Sequence, residues 1–181
     1  MKIAVVTSNP HKAAEIVAFF GPAFQLDHVS IEIPEYRHDD VGEIARKKAE
    51  HAFGIVKRPL LVDDTAFSVD ALKGFPGPYA AYVLATIGNE GILKLLEGIP
   101  NRKAHFETAV AYATADGVEV FRGRIDGIIV QPRGTGGFGY DPIFETNGGV
   151  TLSEISLAEK NRISHRSQAL TMVKKWLESR D

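Results

Sequence analysis

The chain has no cysteine among its 181 residues. That excludes disulfides and thiolate metal sites and fits a reducing, intracellular setting. No apolar run approaches the roughly 20 residues of a membrane span. Ile3-Ala4-Val5-Val6 is also too short for a signal-peptide core, so a cytoplasmic protein is expected. There is no basic excess: 21 Lys and Arg stand against 23 Asp and Glu, a formal net charge of −2, which argues against a nucleic-acid partner. Repeats, low-complexity tracts and linkers are missing too, so residues 1–181 read as one domain or two closely packed lobes. What is present is ordinary for a globular protein, 44% hydrophobic and 24% charged, and long enough for a real core. A phosphate-bearing small molecule remains a fitting ligand, because a few local cations suffice to hold it.

Periodicity outlines an α/β protein. Lys2 to Thr7 reads as a buried strand. Asn9 suits a helix N-cap and Pro10 the first helical position, with Ala13, Ile16, Val17 and Phe20 at helical spacing until Gly21-Pro22. Phe24 to Ile33 predicts a weaker strand. Asp40 and Glu43 form a capping-box pattern for a helix to about Val56. A short strand, Leu60-Leu61-Val62, then gives way to a Gly- and Pro-rich loop from Asp64 to Pro78. A helical stretch in two pieces reaches Leu96. Ala104 to Thr114 and Val118 to Arg124 alternate around the turn Asp116-Gly117, a hairpin, and Asp126 to Gln131 adds a strand. Ser164 to Arg180 predicts a final amphipathic helix with Ile163, Leu170, Val173 and Leu177 on one stripe. Strand–helix alternation followed by hairpins implies a mixed sheet, with ligands at strand ends and helix starts.

Several segments carry chemistry. Thr7-Ser8-Asn9-Pro10-His11-Lys12 runs from a strand into a helix start, where free N–H groups and the dipole suit phosphate; taken alone, the segment reads more simply as a plain N-cap with a solvated lysine. Asp63-Asp64 offers hard oxygens for Mg²⁺ or a base for water, or else a solvated turn. Lys48 falls in the middle of the apolar arc Val41, Ile44, Ala45, Ala49 and Ala52, so it either snorkels or points into a polar site. Gly134-x-Gly136-x-x-Gly139 is a decoy for dinucleotide binding, since Tyr140-Asp141-Pro142 follows where a helix is required. Its glycines present Phe138, Tyr140 and Asp141 together, as base-stacking groups or as core aromatics beside a turn. Ser156 and Glu159 form a second capping box, followed by the donors Lys160, His165 and Arg166. His11, His28, His38, His51 and His105 lack metal-ligand spacing and read as surface residues.

Four blocks together resemble the inosine triphosphate pyrophosphatase family, also called the Ham1-like proteins. They are Thr7 to Lys12; Val62-Asp63-Asp64-Thr65 with Gly74-Phe75-Pro76-Gly77-Pro78-Tyr79; Gly137-Phe138-Gly139-Tyr140-Asp141-Pro142-Ile143-Phe144; and Glu159-Lys160-Asn161-Arg162-Ile163-Ser164-His165-Arg166. The resemblance implies an elongated mixed sheet between two α/β lobes, a nucleotide in the cleft, Mg²⁺ (Mn²⁺ substituting) and a homodimer. It implies a triphosphate cradle of Thr7, Ser8, Asn9 and Lys12, and Asp64 as the water-activating base. Glu35, Asp63 and Asp64 stand at the metal, Lys48 matches a helix lysine of the family, and Thr65 a substrate-contacting hydroxyl. Phe138, Gly139, Tyr140 and Asp141 match the base loop, and Lys160, His165 and Arg166 the purine-recognising residues. Many relatives carry a basic residue where this chain has Ala81. The activity implied is hydrolysis of ITP, dITP and XTP to monophosphate and pyrophosphate, with modified pyrimidine triphosphates or nucleotide sensing without turnover as the other readings.

Overall fold

The computed structural model describes residues 2–180; Met1 and Asp181, the ends of the expected 1–181 domain, lie outside the described residues. A mixed seven-stranded sheet runs in the order β2-β1-β3-β5-β6-β7, with the two-residue β4 (Pro76–Gly77) beside β3. β1 (Lys2–Val6) pairs in parallel with β2 (Gln25–Val29) and with β3 (Leu60–Val69). The antiparallel half is β3 with β5 (Lys103–Thr114), then β6 (Gly117–Ile129) and β7 (Phe144–Thr146).

Three strand expectations are corrected. β3 does not stop at Val62: its pairing with β5 continues from Leu60↔Ala113 to Val69↔Ala104. Ladder hydrogen bonds and the apolar Phe67 and Val69 carry it past the polar Asp63-Asp64-Thr65, which locally signals a turn. β6 is one strand, not two. Gly123 does not break it but admits the last helix, α6 (His165–Glu178), since a Cβ there would lie 2.0 Å from the His165 carbonyl oxygen. β2 ends at Val29, and residues 30–40 form an irregular strap into α2 (Val41–Val56).

Helix starts follow their caps. In α1 (Pro10–Phe20) the Asn9 side chain accepts the N–H groups of His11 and Lys12 at 3.0 and 3.3 Å. In α2 (Val41–Val56) Asp40 accepts the Gly42 N–H at 2.8 Å. The expected box is not closed there: Glu43 turns toward Arg46 at 3.8 Å, and the Asp40 N–H goes to His38. The Ser156–Glu159 box is complete and opens α5 (Leu157–Ile163). Ser164 then ends α5 and caps α6 (His165–Glu178). Ile163 thus belongs to α5 and is 41% exposed, whereas Leu170, Val173 and Leu177 are buried as expected.

Three clusters make the core. α2 covers Leu60, Val62, Ala109 and Ala111 on one face of the sheet. α1 and α6 cover Val5, Leu61, Val110 and Tyr112 on the other. At the far end of β3 and β5, Phe67, Val69 and Phe106 pack with α3 (Ala80–Thr86), α4 (Gly88–Leu95), Phe144 and Leu152. The long strands run through both lobes, so residues 63–65 fall at the cleft between them.

Candidate active site

A cavity of about 310 Å³ occupies the cleft, and every site residue named from the sequence lines it: Thr7, Ser8, Asn9, Lys12, Glu35, Lys48, Asp63, Asp64, Thr65, Phe138, Gly139, Tyr140, Asp141, Lys160, His165 and Arg166. Ala81 lines it as well, placing a methyl group at the cavity wall.

Alternation along β3 divides the neighbouring carboxylates. Asp64 faces α2. There the Lys48 ammonium donates to Asp64 Oδ2 at 2.6 Å and reaches Glu35 Oε2 at 3.0 Å. Burial pulls the Lys48 pKa down, but Asp64 and Glu35 more than offset it, leaving it above the ordinary value. Lys48 therefore does not snorkel; it points from the apolar face of α2 into the cleft. Asp63 faces α1 and α6, pairing with Lys12 at 3.3 Å and with Arg166 Nε at 3.0 Å. Burial opposes the Asp63 charge, yet Lys12 and Arg166 hold its carboxyl below the ordinary range. The expected metal trio is thus not assembled: Glu35 and Asp64 meet at Lys48, and Asp63 stands on the opposite face. Among the described residues no three His, Asp or Glu side chains are grouped to hold a metal ion.

From Asp63 a chain of alternating charge crosses the site. Arg166 binds Asp63 and Glu15; Glu15 also binds Lys160 at 2.5 Å; Lys160 binds Asp141 at 2.6 Å. Lys12, Asp63, Arg166, Glu15, Lys160 and Asp141 sum to zero, which explains how so many charges lie buried together. Arg166 Nη2 also donates to the Thr65 hydroxyl at 3.2 Å, and Thr65 pairs with Thr108 at 2.6 Å. His165 stacks on Phe106 with ring centroids 4.6 Å apart, and its Nδ1 is buried without a partner among the described residues. Burial, then the cations Arg166, Lys160 and Lys12, hold its pKa well below the ordinary value, so the imidazole is neutral.

The loop from Gly134 to Asp141 behaves as the decoy reading requires: it leads into a single 3₁₀ turn, Asp141–Ile143, not a helix. Gly137 adopts φ +66°, and a Cβ there would lie 2.2 Å from Asp141 Oδ2. That oxygen accepts the Phe138 N–H at 2.9 Å as well as the Lys160 ammonium. Asp141 thus braces the loop; burial pushes its carboxyl above the ordinary range against the opposing pull of Lys160. Tyr140 is committed to the core, stacked on Phe67 with centroids 4.3 Å apart and donating to the Ala80 carbonyl at 2.6 Å. Phe138 remains the half-exposed ring at the cavity.

The sequence reading missed Glu15, Thr108 and Asn89. Glu15 sits one turn after Lys12 on α1, the only hint of its part in the site. Thr108 gives no sequence signal; its role comes from its register opposite Thr65. Asn89 donates to the Gly139 carbonyl at 3.0 Å from α4. Of the histidines outside the site, His11, His28 and His38 are exposed as expected, and His51 and His105 are half-buried.

A helix start facing a lysine–carboxylate cluster, with an aromatic loop across the cleft, defines an α/β protein built for an elongated, phosphate-bearing ligand. The chain belongs to the Ham1 family, whose model matches residues 3–176. It is 46% identical over 180 residues to a dITP/XTP pyrophosphatase of Thermococcus kodakarensis, covering 98% of this chain and 97% of that protein. It is 42% identical over 180 residues to an inosine triphosphate pyrophosphatase of Aspergillus fumigatus, covering 98% and 95%. The solved Ham1 protein of Staphylococcus aureus superposes with a TM-score of 0.85 at 26% identity over 100% of both chains. The HAM1 protein of Coxiella burnetii gives 0.86 at 28% identity over 99% of each.

Proposed function

We propose that this protein hydrolyses the non-standard purine triphosphates ITP, dITP and XTP to the nucleoside monophosphate and pyrophosphate. The observation that carries this reading is the convergence of all four sequence blocks on one cavity. The α1 start, with Thr7, Ser8, Asn9 and Lys12, takes the triphosphate through N–H groups, hydroxyls and a cation. Water attacks the α-phosphorus, the bond to the bridging oxygen breaks, and pyrophosphate leaves. As phosphate enters, the Lys48 ammonium turns from Asp64 toward it, and Asp64 takes the proton of the attacking water. Lys12 and Lys48 stabilise the charge that develops.

Glu35 and Asp64 already share one cation, the Lys48 ammonium, so their spacing suits a divalent ion completed by phosphate oxygens. Mg²⁺ is the proposed ion, with Mn²⁺ as substitute, and when bound it offsets phosphate charge and orients the water. Asp63, expected beside them, instead holds Lys12 and Arg166 in place.

Phe138 stacks the base, which any purine permits; the edge decides. Ser164 caps the Ser167 N–H, so the N–H groups of His165 and Arg166 in the first turn of α6 lack intrahelical acceptors. Arg166 uses three of its five N–H donors on Asp63, Glu15 and Thr65, which leaves two. Such donors donate to the 6-oxygen of hypoxanthine or xanthine and oppose the 6-amino group of adenine. The protein is proposed to act in the cytoplasm as a homodimer, the exposed Phe75, Tyr79 and Tyr82 offering apolar surface to a second copy. No helix among the described residues is long and apolar enough to cross a membrane.

The test is product identity. Phosphorus NMR of ITP turnover should show IMP and pyrophosphate, and chelator should stop the reaction. IDP with orthophosphate, or full turnover after exhaustive metal removal, contradicts the reading.

A further inference from the structure

His11 is an exposed residue in the first turn of α1, and its imidazole lies parallel to the Phe138 ring, with centroids 5.0 Å apart and planes 12° from parallel. The two residues come from opposite sides of the cleft. Phe138 lines the cavity and His11 does not, so the imidazole covers the phenyl ring from outside. The backbones differ in stiffness. Phe138 sits between Gly137 and Gly139, at φ +66° and +65°, in a loop with little conformational restraint of its own. His11 stands on a capped helical turn, its N–H fixed by Asn9 at 3.0 Å. A stiff support therefore props a flexible one. Other restraints on the loop include the Phe138 N–H bond to Asp141, the Gly136 N–H bond to the Ser153 carbonyl at 2.9 Å, the Lys160 ammonium 4.5 Å from the ring centroid, and the Asn89 bond to Gly139. Of these contacts, His11 is the one that joins the loop to the helix start where the triphosphate is proposed to bind.

We propose that His11 is a positioning residue for substrate: stacked on Phe138, it holds that ring in the orientation a purine needs. The inference rests on the assignment of Phe138 as the base-stacking ring. His11 stands outside the cavity lining, so its loss weakens capture of the base and leaves the chemical step alone. An aromatic pair contributes enough to change affinity by about 2- to 10-fold.

The experiment compares wild type, His11→Ala and His11→Phe, measuring kcat and KM for ITP and the inhibition constant of inorganic tripolyphosphate. In His11→Ala the KM for ITP should rise about 2- to 10-fold at nearly constant kcat. Tripolyphosphate inhibition should stay unchanged, because that probe has no base. His11→Phe should restore the KM. An unchanged KM in His11→Ala overturns the proposal, as does a fall in kcat alone. A matching loss of tripolyphosphate affinity would assign His11 to the phosphate loop instead, and failure of His11→Phe to rescue would exclude stacking. Turnover of ITP by the wild type is the separate control: its absence removes the proposed function itself, whereas turnover with an indifferent His11→Ala removes only this inference.

Discussion

Glu15 holds the centre of the buried charge chain, and replacing it with Gln keeps the shape while removing one negative charge. Its side chain is 4% exposed and touches both Lys160 and Arg166, themselves 3% and 2% exposed. In Glu15→Gln the six-member chain becomes net positive by one. Breaking a buried ion pair from one side destabilises by about 3–5 kcal/mol, since the remaining charge stays desolvated. For a chain of this length that corresponds to a fall in Tm of roughly 6–20 °C. The charge count also predicts a rescue. Adding Lys160→Met returns the sum to zero, so Glu15→Gln/Lys160→Met should be more stable than Glu15→Gln alone. Urea titration of the wild type and both variants at pH 7.5 measures this. A loss below about 1 kcal/mol in Glu15→Gln, or a double variant less stable than the single, would refute the reasoning.

Three further outcomes follow from the same geometry. Lys48→Met keeps the stem in the apolar face of α2 and removes the ammonium; turnover should collapse in a folded protein, and retained turnover would return Lys48 to a solvated role. Asp64→Asn should lower kcat by roughly 10²- to 10⁴-fold, and a near-normal rate would remove Asp64 from the mechanism. His165 is held neutral when folded, whereas the unfolded chain takes up its proton below about pH 6.5. Its contribution to stability is therefore complete above that pH and declines as pH falls, by up to about 1.4 kcal/mol per unit. The urea midpoint of the wild type should drop between pH 7 and 5 more steeply than that of His165→Phe, and equal slopes would contradict the neutral assignment.

Much of the site was legible because its parts carry local signals. The cap Asn9-Pro10, the out-of-place Lys48 and the glycines around Phe138 each break a periodic pattern, and Asn9, Lys48, Phe138 and Gly139 line the cavity. What escaped depends on partners distant in sequence. Asp63-Asp64-Thr65 reads as a turn until the ladder to β5 makes it mid-strand, and that register sends the two carboxylates to opposite faces. Glu15 lies one turn after Lys12 with no other local signal, and Lys160 and Arg166 arrive from the far end of the chain to bury it. Tyr140 reads as a base-stacking ring or a core aromatic, and only its distant partners Phe67 and the Ala80 carbonyl claim it for the core.

Base selectivity tests the central claim most directly. Adenine would set its 6-amino group against the donors at the start of α6. Two unpaired buried groups, at about 1–3 kcal/mol each, suffice for discrimination of a hundredfold or so. The measurement is kcat/KM for ITP and for ATP with Mg²⁺ on one preparation of enzyme. The account predicts a ratio of about a hundred or more in favour of ITP. A ratio near one would contradict it, and preference for a pyrimidine triphosphate would transfer the activity to a different base class.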